Sequence, residues 1–164
     1  MTRWLVLSDT HGDLGPALEW LASDPRLAPA SGLAGIFHLG DRCEDAVRLQ
    51  SLVRVPVLSV AGNNDAFCRH ECPLLLVESL AGHRVLLVHG HRQQVKQGTE
   101  RLAELAWSMA PPVDAVLFGH THSPADRTLV RDGRTLRLLN PGCAHRALSA
   151  SGPRALVLEA DPGH

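Results

Sequence analysis

Ala115-Val116-Leu117-Phe118-Gly119-His120-Thr121-His122 is an apolar run that breaks into a glycine and two histidines. Four consecutive apolar residues of this kind read as a buried strand. The residues after it are not ordinary turn chemistry, which asks for Gly, Asn, Asp, Ser or Pro rather than paired His. The same pattern recurs upstream. Trp4-Leu5-Val6-Leu7 runs into Ser8-Asp9-Thr10-His11-Gly12, and Gly35-Ile36-Phe37-His38-Leu39 stops at Gly40-Asp41. Residues 55–60 stop at Gly62-Asn63-Asn64-Asp65, and residues 84–88 stop at His89-Gly90-His91. Five strand-like runs thus end in polar clusters.

Helical patterns lie between several of these runs. Leu14, Ala17, Leu18 and Leu21 recur at helical spacing over 13–23, with Pro16 suited to a first turn. A short helix is expected over 44–52. A longer one is expected over 95–109, with Val95, Leu102, Leu105, Ala106 and Met109 on one face and Pro111-Pro112 ending it. Further strands are expected over 74–79 and 155–159. A hairpin is expected around Asp132-Gly133, joining 127–130 to 134–139. Residues 24–32 read as a surface loop. The first half alternates strand and helix, and the second is strand-rich. That mixture argues for a layered α/β fold with two packed sheets, in a single domain over 1–164.

Composition excludes several classes. The chain has 164 residues, is 45% hydrophobic and carries a formal charge of −1. It is long enough for a real core, and no basic field argues for nucleic acid. No apolar run reaches the roughly 18 residues of a membrane span. Met1-Thr2-Arg3-Trp4 enters a strand at once, without the anatomy of a signal peptide, so a cytoplasmic location is expected. The four Cys, at 43, 68, 72 and 143, do not suggest a disulfide framework.

Parallel strands would bring the five polar ends to one edge of the sheets, where folds of this class place their sites. Each motif alone is weak: ten Asp and ten His in 164 residues produce Asp-x-His pairs by chance, and Gly-Asp after a strand is commonly a turn. Their order and placement carry the reading. Asp9, His11, Asp41, Asn63, His89, His120 and His122 are oxygen and nitrogen donors, a set suited to Mn, Fe, Zn, Ni or Co rather than Ca or a thiolate-bound metal. Seven donors exceed the needs of one tetrahedral ion. They suffice for two ions sharing a carboxylate.

In this series of motifs the chain resembles the calcineurin-like metallophosphoesterases, and within them the small single-domain, YfcE-like phosphodiesterase branch. The resemblance runs from residue 4 to about 158, and Asn140-Pro141-Gly142 matches that branch as well. It implies a four-layer αββα sandwich with a dimetal site along one edge. It further implies that Asp9, His11, Asp41 and His122 take one ion, and that Asp41, Asn63, His89 and His120 take the other. Two divalent transition-metal ions are implied, manganese first, with iron, nickel, cobalt or zinc as alternatives. The implied reaction is in-line attack of a metal-bridging water or hydroxide on a small or accessible phosphodiester. Asp65 is expected to orient the Asn63 loop rather than bind metal.

One departure stands out. Many relatives have Gly-Asn-His-Asp where this chain has Gly62-Asn63-Asn64-Asp65. Asn64 can donate a hydrogen bond but cannot supply a proton near neutral pH. That favours diesters with good leaving groups. His91, two residues after His89, is a further candidate to contact substrate, as is Arg92. His38 reads as a satisfied core histidine, while His70, His83, His145 and His164 match no motif. Cys68-Arg69-His70-Glu71-Cys72 reads as a loop with two thiols rather than a zinc site, and Cys43 and Cys143 as buried small hydrophobes. The competing readings are a phosphomonoesterase or nucleotidase on the same fold and a Vps-type interaction scaffold with residual metal binding. Relatives of this kind often self-associate, which leaves a homo-oligomer open.

Overall fold

Apolar side chains on both faces of nearly every central strand dictate the architecture. The computed structural model describes residues 1–66 and 72–161. Strands β1 (Thr2–Leu7), β2 (Leu33–His38) and β3 (Val57–Ser59) run parallel, and β9 (Leu156–Ala160) lies antiparallel to β1. They form a four-stranded sheet in the order β3-β2-β1-β9. The second sheet has five strands in the order β4-β5-β6-β8-β7. Here β5 (His83–Val88), β6 (Ala115–Phe118) and β8 (Arg134–Asn140) are parallel. The edge strands β4 (Leu75–Leu80) and β7 (Ala125–Arg131) are antiparallel to their neighbours.

The alternation of side chains along each strand builds three cores. Val6, Phe37, Val85, Leu87, Leu117 and Leu139 meet between the two sheets, and Trp4 stacks on Phe37 with ring centroids 4.3 Å apart. Leu5, Leu7 and Ile36 face the other way. They pack under α1 (Gly15–Ser23) and α2 (Cys43–Leu52) through Leu14, Ala17 and Leu49. Leu86, Val88, Val116 and Phe118 pack under α3 (Glu100–Ser108) through Leu102, Ala103 and Ala106. The result is the expected αββα order. A strand buried on both faces needs a continuous apolar run, which is what the sequence shows at each. Each fully buried Leu contributes about 1.5–3 kcal/mol.

Three expectations are corrected. The helix expected over 95–109 begins only at Glu100. Gly98, a poor helix residue, ends a series of turns over 91–97, within which Val95 N–H donates to Gly90 O at 3.3 Å. Val95 still joins the core beneath α3. The loop expected over 24–32 holds two short 3₁₀ turns, each opened by a proline, at Pro25–Leu27 and Pro29–Ser31. Cys43 is disulfide-bonded rather than a simple buried hydrophobe, whereas Cys72 and Cys143 are free thiols. Cys68 and His70 in the Cys68–Cys72 stretch, and His164, lie outside the described residues. Among the described residues, no helix is long and apolar enough to cross a membrane.

Candidate metal centre

Because β1, β2 and β3 are parallel, the loops after them leave from one edge, and β5 and β6 deliver theirs to the same place. The backbone there is unusual. Asp9, His11, Asp41, His120 and His122 have φ of 56°, 45°, 60°, 67° and 58°. The left-handed region is uncommon for residues with a side chain, and such strain concentrates at functional sites. Glycines allow the close approach. A Cβ on Gly119 would strike Ser8 Oγ and lie 2.9 Å from Asp9 Oδ2. One on Gly62 would strike Asp41 Oδ1 and the Asp41 backbone nitrogen.

Two groups of donors result. Ligand atoms of Asp9, His11 and His122 lie within 4.8 Å of one another, as do those of Asp41, His89 and His120. Asp41 stands between them: Oδ2 is 3.6 Å from His11 Nε2, and Oδ1 is 3.4 Å from His89 Nε2. Asn63 Oδ1 is 3.2 Å from His89 Nε2. His122 Nε2 is 3.2 Å from Asp9 Oδ1. Asp9 and Asp41 are almost fully buried. Asp9 Oδ1 and His11 Nε2 are buried with no hydrogen-bond partner. A buried carboxylate oxygen and a buried imidazole nitrogen are costly without a partner, and a cation satisfies both.

Supporting contacts fix the donors. His89 donates from Nδ1 to Leu39 O at 2.7 Å, which leaves the Nε2 lone pair facing Asp41 and Asn63. Ser8 Oγ and the His120 backbone N–H hold Asp9 Oδ2, the latter at 3.1 Å. Asp65 binds four backbone N–H groups: Asp41 at 3.0 Å, Gly62 at 2.7 Å, and Arg42 and Cys43 at 2.8 Å each. Both of its oxygens are occupied, and it ties the Asn63 turn to the Asp41 loop and to the start of α2. Asn64 lies on Asp41, its Nδ2 donating to Oδ2 at 2.8 Å and its backbone N–H to Oδ1 at 3.0 Å.

Beneath the ligand loops runs a buried chain that the sequence left unread. Gly40 N–H donates to His38 Nδ1 at 3.3 Å, so His38 Nε2–H donates to Thr10 Oγ1 at 2.9 Å. Thr10 in turn donates to Asp45 Oδ2 at 2.7 Å, which also takes the Gly12 N–H at 2.6 Å. His38 is indeed satisfied, but through the loops that carry Asp9, His11 and Asp41. The Thr10 signal was hidden between two motif residues.

Electrostatics follow from burial and pairing. Burial pushes His120 down to about 4, aided by the neighbouring His89 and Lys96, so it is neutral at pH 7. Burial likewise lowers His91, with His89 and Arg92 adding to it. Burial works to raise Asp9, but the close approach of the His122 and His89 imidazoles outweighs it and leaves the carboxyl below its usual range. The Asp9 carboxylate in turn raises His122. His91 sits at the rim, its ring 5.4 Å from His89 and 6.2 Å from His120, with Nδ1 buried and unpaired. Arg92 is exposed.

The model of the calcineurin-like phosphoesterase superfamily domain matches residues 3–163. The chain belongs to this superfamily. A "Probable metallophosphoesterase" of Mycoplasma pneumoniae is 30% identical over 145 residues, 87% of this chain and 79% of that protein. A solved archaeal phosphodiesterase has the same fold at a TM-score of 0.68 and 18% identity, over 97% of this chain and 94% of its own. So does a Vps29 from Entamoeba histolytica complexed with zinc, at a TM-score of 0.69 and 22% identity, over 99% and 88%. The calcineurin-like fold implies divalent metal ions, and the two donor groups above are where this chain could hold them.

Proposed function

We propose that this calcineurin-like phosphoesterase hydrolyses small or accessible phosphodiesters at a centre of two divalent transition-metal ions. Asp9, His11, His122 and one oxygen of Asp41 would hold one ion. The other oxygen of Asp41, with Asn63, His89 and His120, would hold the second. The observation that carries this reading is the Asp41 carboxylate, with one oxygen turned to each of two histidine-bearing groups. The nitrogen and oxygen donor set suits Mn, Fe, Ni, Co or Zn alike; manganese is put first only on the family resemblance.

Two such ions, when bound, supply an activated water near neutral pH and neutralise charge that builds on the phosphoryl oxygens. The chain's own residues do the rest. His120, pushed down to about 4 by burial, stays neutral, as a ligand must. Asp65 holds the Asp41 backbone N–H, and Asn64 holds both oxygens of the Asp41 carboxylate. Asn64 offers no acidic proton to a leaving group, which supports diesters with good leaving groups over alkyl monoesters. His91 stands at the rim where it can donate to substrate.

The test compares metal-stripped protein with protein given back Mn, Ni, Co, Zn or Mg, on a chromogenic diester and its monoester, with Asp41→Ala as control. Metal-dependent diester hydrolysis that disappears in the control is expected. Preference for the monoester would replace this reading with a phosphomonoesterase. A folded protein that binds two ions but turns over neither substrate would move it to an interaction scaffold.

A further inference from the structure

The parallel strands bring six ends to this edge, and only five supply the groups described so far. The sixth is β8, which runs parallel to β6 and ends at Asn140. The loop that follows is pinned across the site. Asn140 Nδ2 donates to Gly119 O at 3.0 Å and to Thr121 Oγ1 at 3.1 Å. Ala144 N–H donates to Ser8 O at 2.9 Å, and Cys143 Sγ–H to Asp9 O at 3.3 Å. The loop is thereby fastened to both segments that carry Asp9, His11, His120 and His122.

His145 stands on this fastened loop. It is half-buried, and its ring centroid is 6.4 Å from that of His11 in an edge-on arrangement. Its Nδ1 accepts the Ala147 backbone N–H at 3.0 Å. A ring nitrogen that accepts carries no proton, so the proton is on Nε2. Among the described residues Nε2–H has no hydrogen-bond partner. The result is an oriented, unspent donor beside the His11 and His122 group. His91 occupies the matching position beside His89 and His120.

We propose that His145 is a substrate-contact residue, donating from Nε2 to an anionic oxygen of the phosphate held at the Asp9, His11 and His122 side. The inference rests on the phosphoesterase reading above. A hydrogen bond to a charged acceptor is stronger than a neutral one, and the Ala147 bond already fixes the ring, so little freedom is lost on binding.

Two substitutions separate the two ends of the imidazole. His145→Asn keeps an acceptor where Nδ1 stands, for Ala147, but removes the distal donor. His145→Gln keeps a donor near the position of Nε2. Inorganic phosphate binding to manganese-loaded protein is measured by calorimetry, together with manganese affinity, melting temperature and diester kinetics. His145→Asn should weaken phosphate binding about tenfold and raise KM in step. Its kcat, manganese affinity and melting temperature should stay near wild type. His145→Gln should recover most of the phosphate affinity. Unchanged phosphate affinity in His145→Asn, in a wild-type protein that does hydrolyse the diester, overturns this inference alone. Loss of manganese affinity together with phosphate affinity makes His145 a support of the metal centre instead. Failure of the loaded wild type both to bind phosphate and to turn over diester removes the phosphoesterase reading, and this contact with it.

Discussion

Asp65 governs Asp41 through the backbone: one of its oxygens accepts the Asp41 N–H at 3.0 Å, while the other accepts the next two N–H groups, of Arg42 and Cys43. The carboxylate therefore holds the left-handed turn at Asp41 and fills donors at the start of α2 that the helix leaves unpaired. Asp65→Ala orphans four donors at once. It should cost about 2–4 kcal/mol of stability, read from denaturant unfolding. Manganese affinity should fall as well, since the Asp41 turn loses its anchor. A variant with wild-type unfolding would show that water replaces the carboxylate freely and that Asp65 does not organise the centre.

Gly62 offers a test that leaves every donor in place. Its missing Cβ is the space in which Asp41 Oδ1 sits. Gly62→Ala must displace the carboxylate or the Asn63 turn. Metal affinity should fall about 10–100-fold, the range found when groups supporting a metal ligand are lost. Calorimetric titration with manganese measures it. The outcome to look for is a weakened second ion with the first retained, because Asn63 and the Asp41 Oδ1 side belong to the His89 and His120 group.

Much of this was legible in the sequence, for a physical reason. Parallel strands buried on both faces must be continuous apolar runs, so 4–7, 35–39 and 115–118 announced themselves and their polar ends stood out. The family resemblance, not local geometry, pointed to Asp65 as the residue that orients the Asn63 loop, and its carboxylate does accept the Gly62 N–H of that turn. Other features were not legible. The segment 134–139 looked like the return arm of a hairpin, and its parallel pairing with β6 depends on long-range packing. That pairing delivers His145 to the site, so a residue matching no motif went unread. Asp45 was likewise invisible, because nothing local says that a helix-surface carboxylate will turn inward onto Thr10. Glycine at 98 was the available warning that the third helix would start late.

Thr10 links the loops from below and can be removed almost without change of shape. Thr10→Val keeps the volume and deletes the hydroxyl between His38 Nε2 and Asp45 Oδ2. Both partners are fully or nearly fully buried, so each loses a hydrogen bond it cannot replace. The variant should lose about 1–3 kcal/mol, and manganese binding should weaken because Asp9 and His11 flank the altered residue. Chemical denaturation and calorimetry report the two effects separately. A stability loss with intact metal affinity would confine the chain to a folding role.

Acid should destabilise the metal-free protein earlier than its carboxylates alone would. Burial lowers His38 below its ordinary value, and Gly40 N–H occupies the nitrogen that would take the proton. His120 is pushed down to about 4 by burial, and His91 is lowered in the same sense. In the unfolded chain each titrates near about 6.5. Between about 6.5 and the lower folded values, the unfolded state thus binds protons that the native state refuses. Stability must fall with pH there, by at most about 1.4 kcal/mol per pH unit for each such histidine. His122 acts in the opposite sense. Its raised pKa gives stability present below about 6.5 and lost as pH rises through the folded value. One histidine against three cannot reverse the slope. Asp9, depressed below its usual range, adds its own loss only at lower pH. Denaturant midpoints of metal-stripped protein between pH 7.5 and 4.5 should therefore begin to fall just below 6.5. His38→Asn should flatten part of that fall, because it removes the most deeply buried of the three. A midpoint that holds steady from pH 6.5 to 5 would mean that His38 takes up its proton in the folded state, and that the chain through Thr10 and Asp45 is open to water.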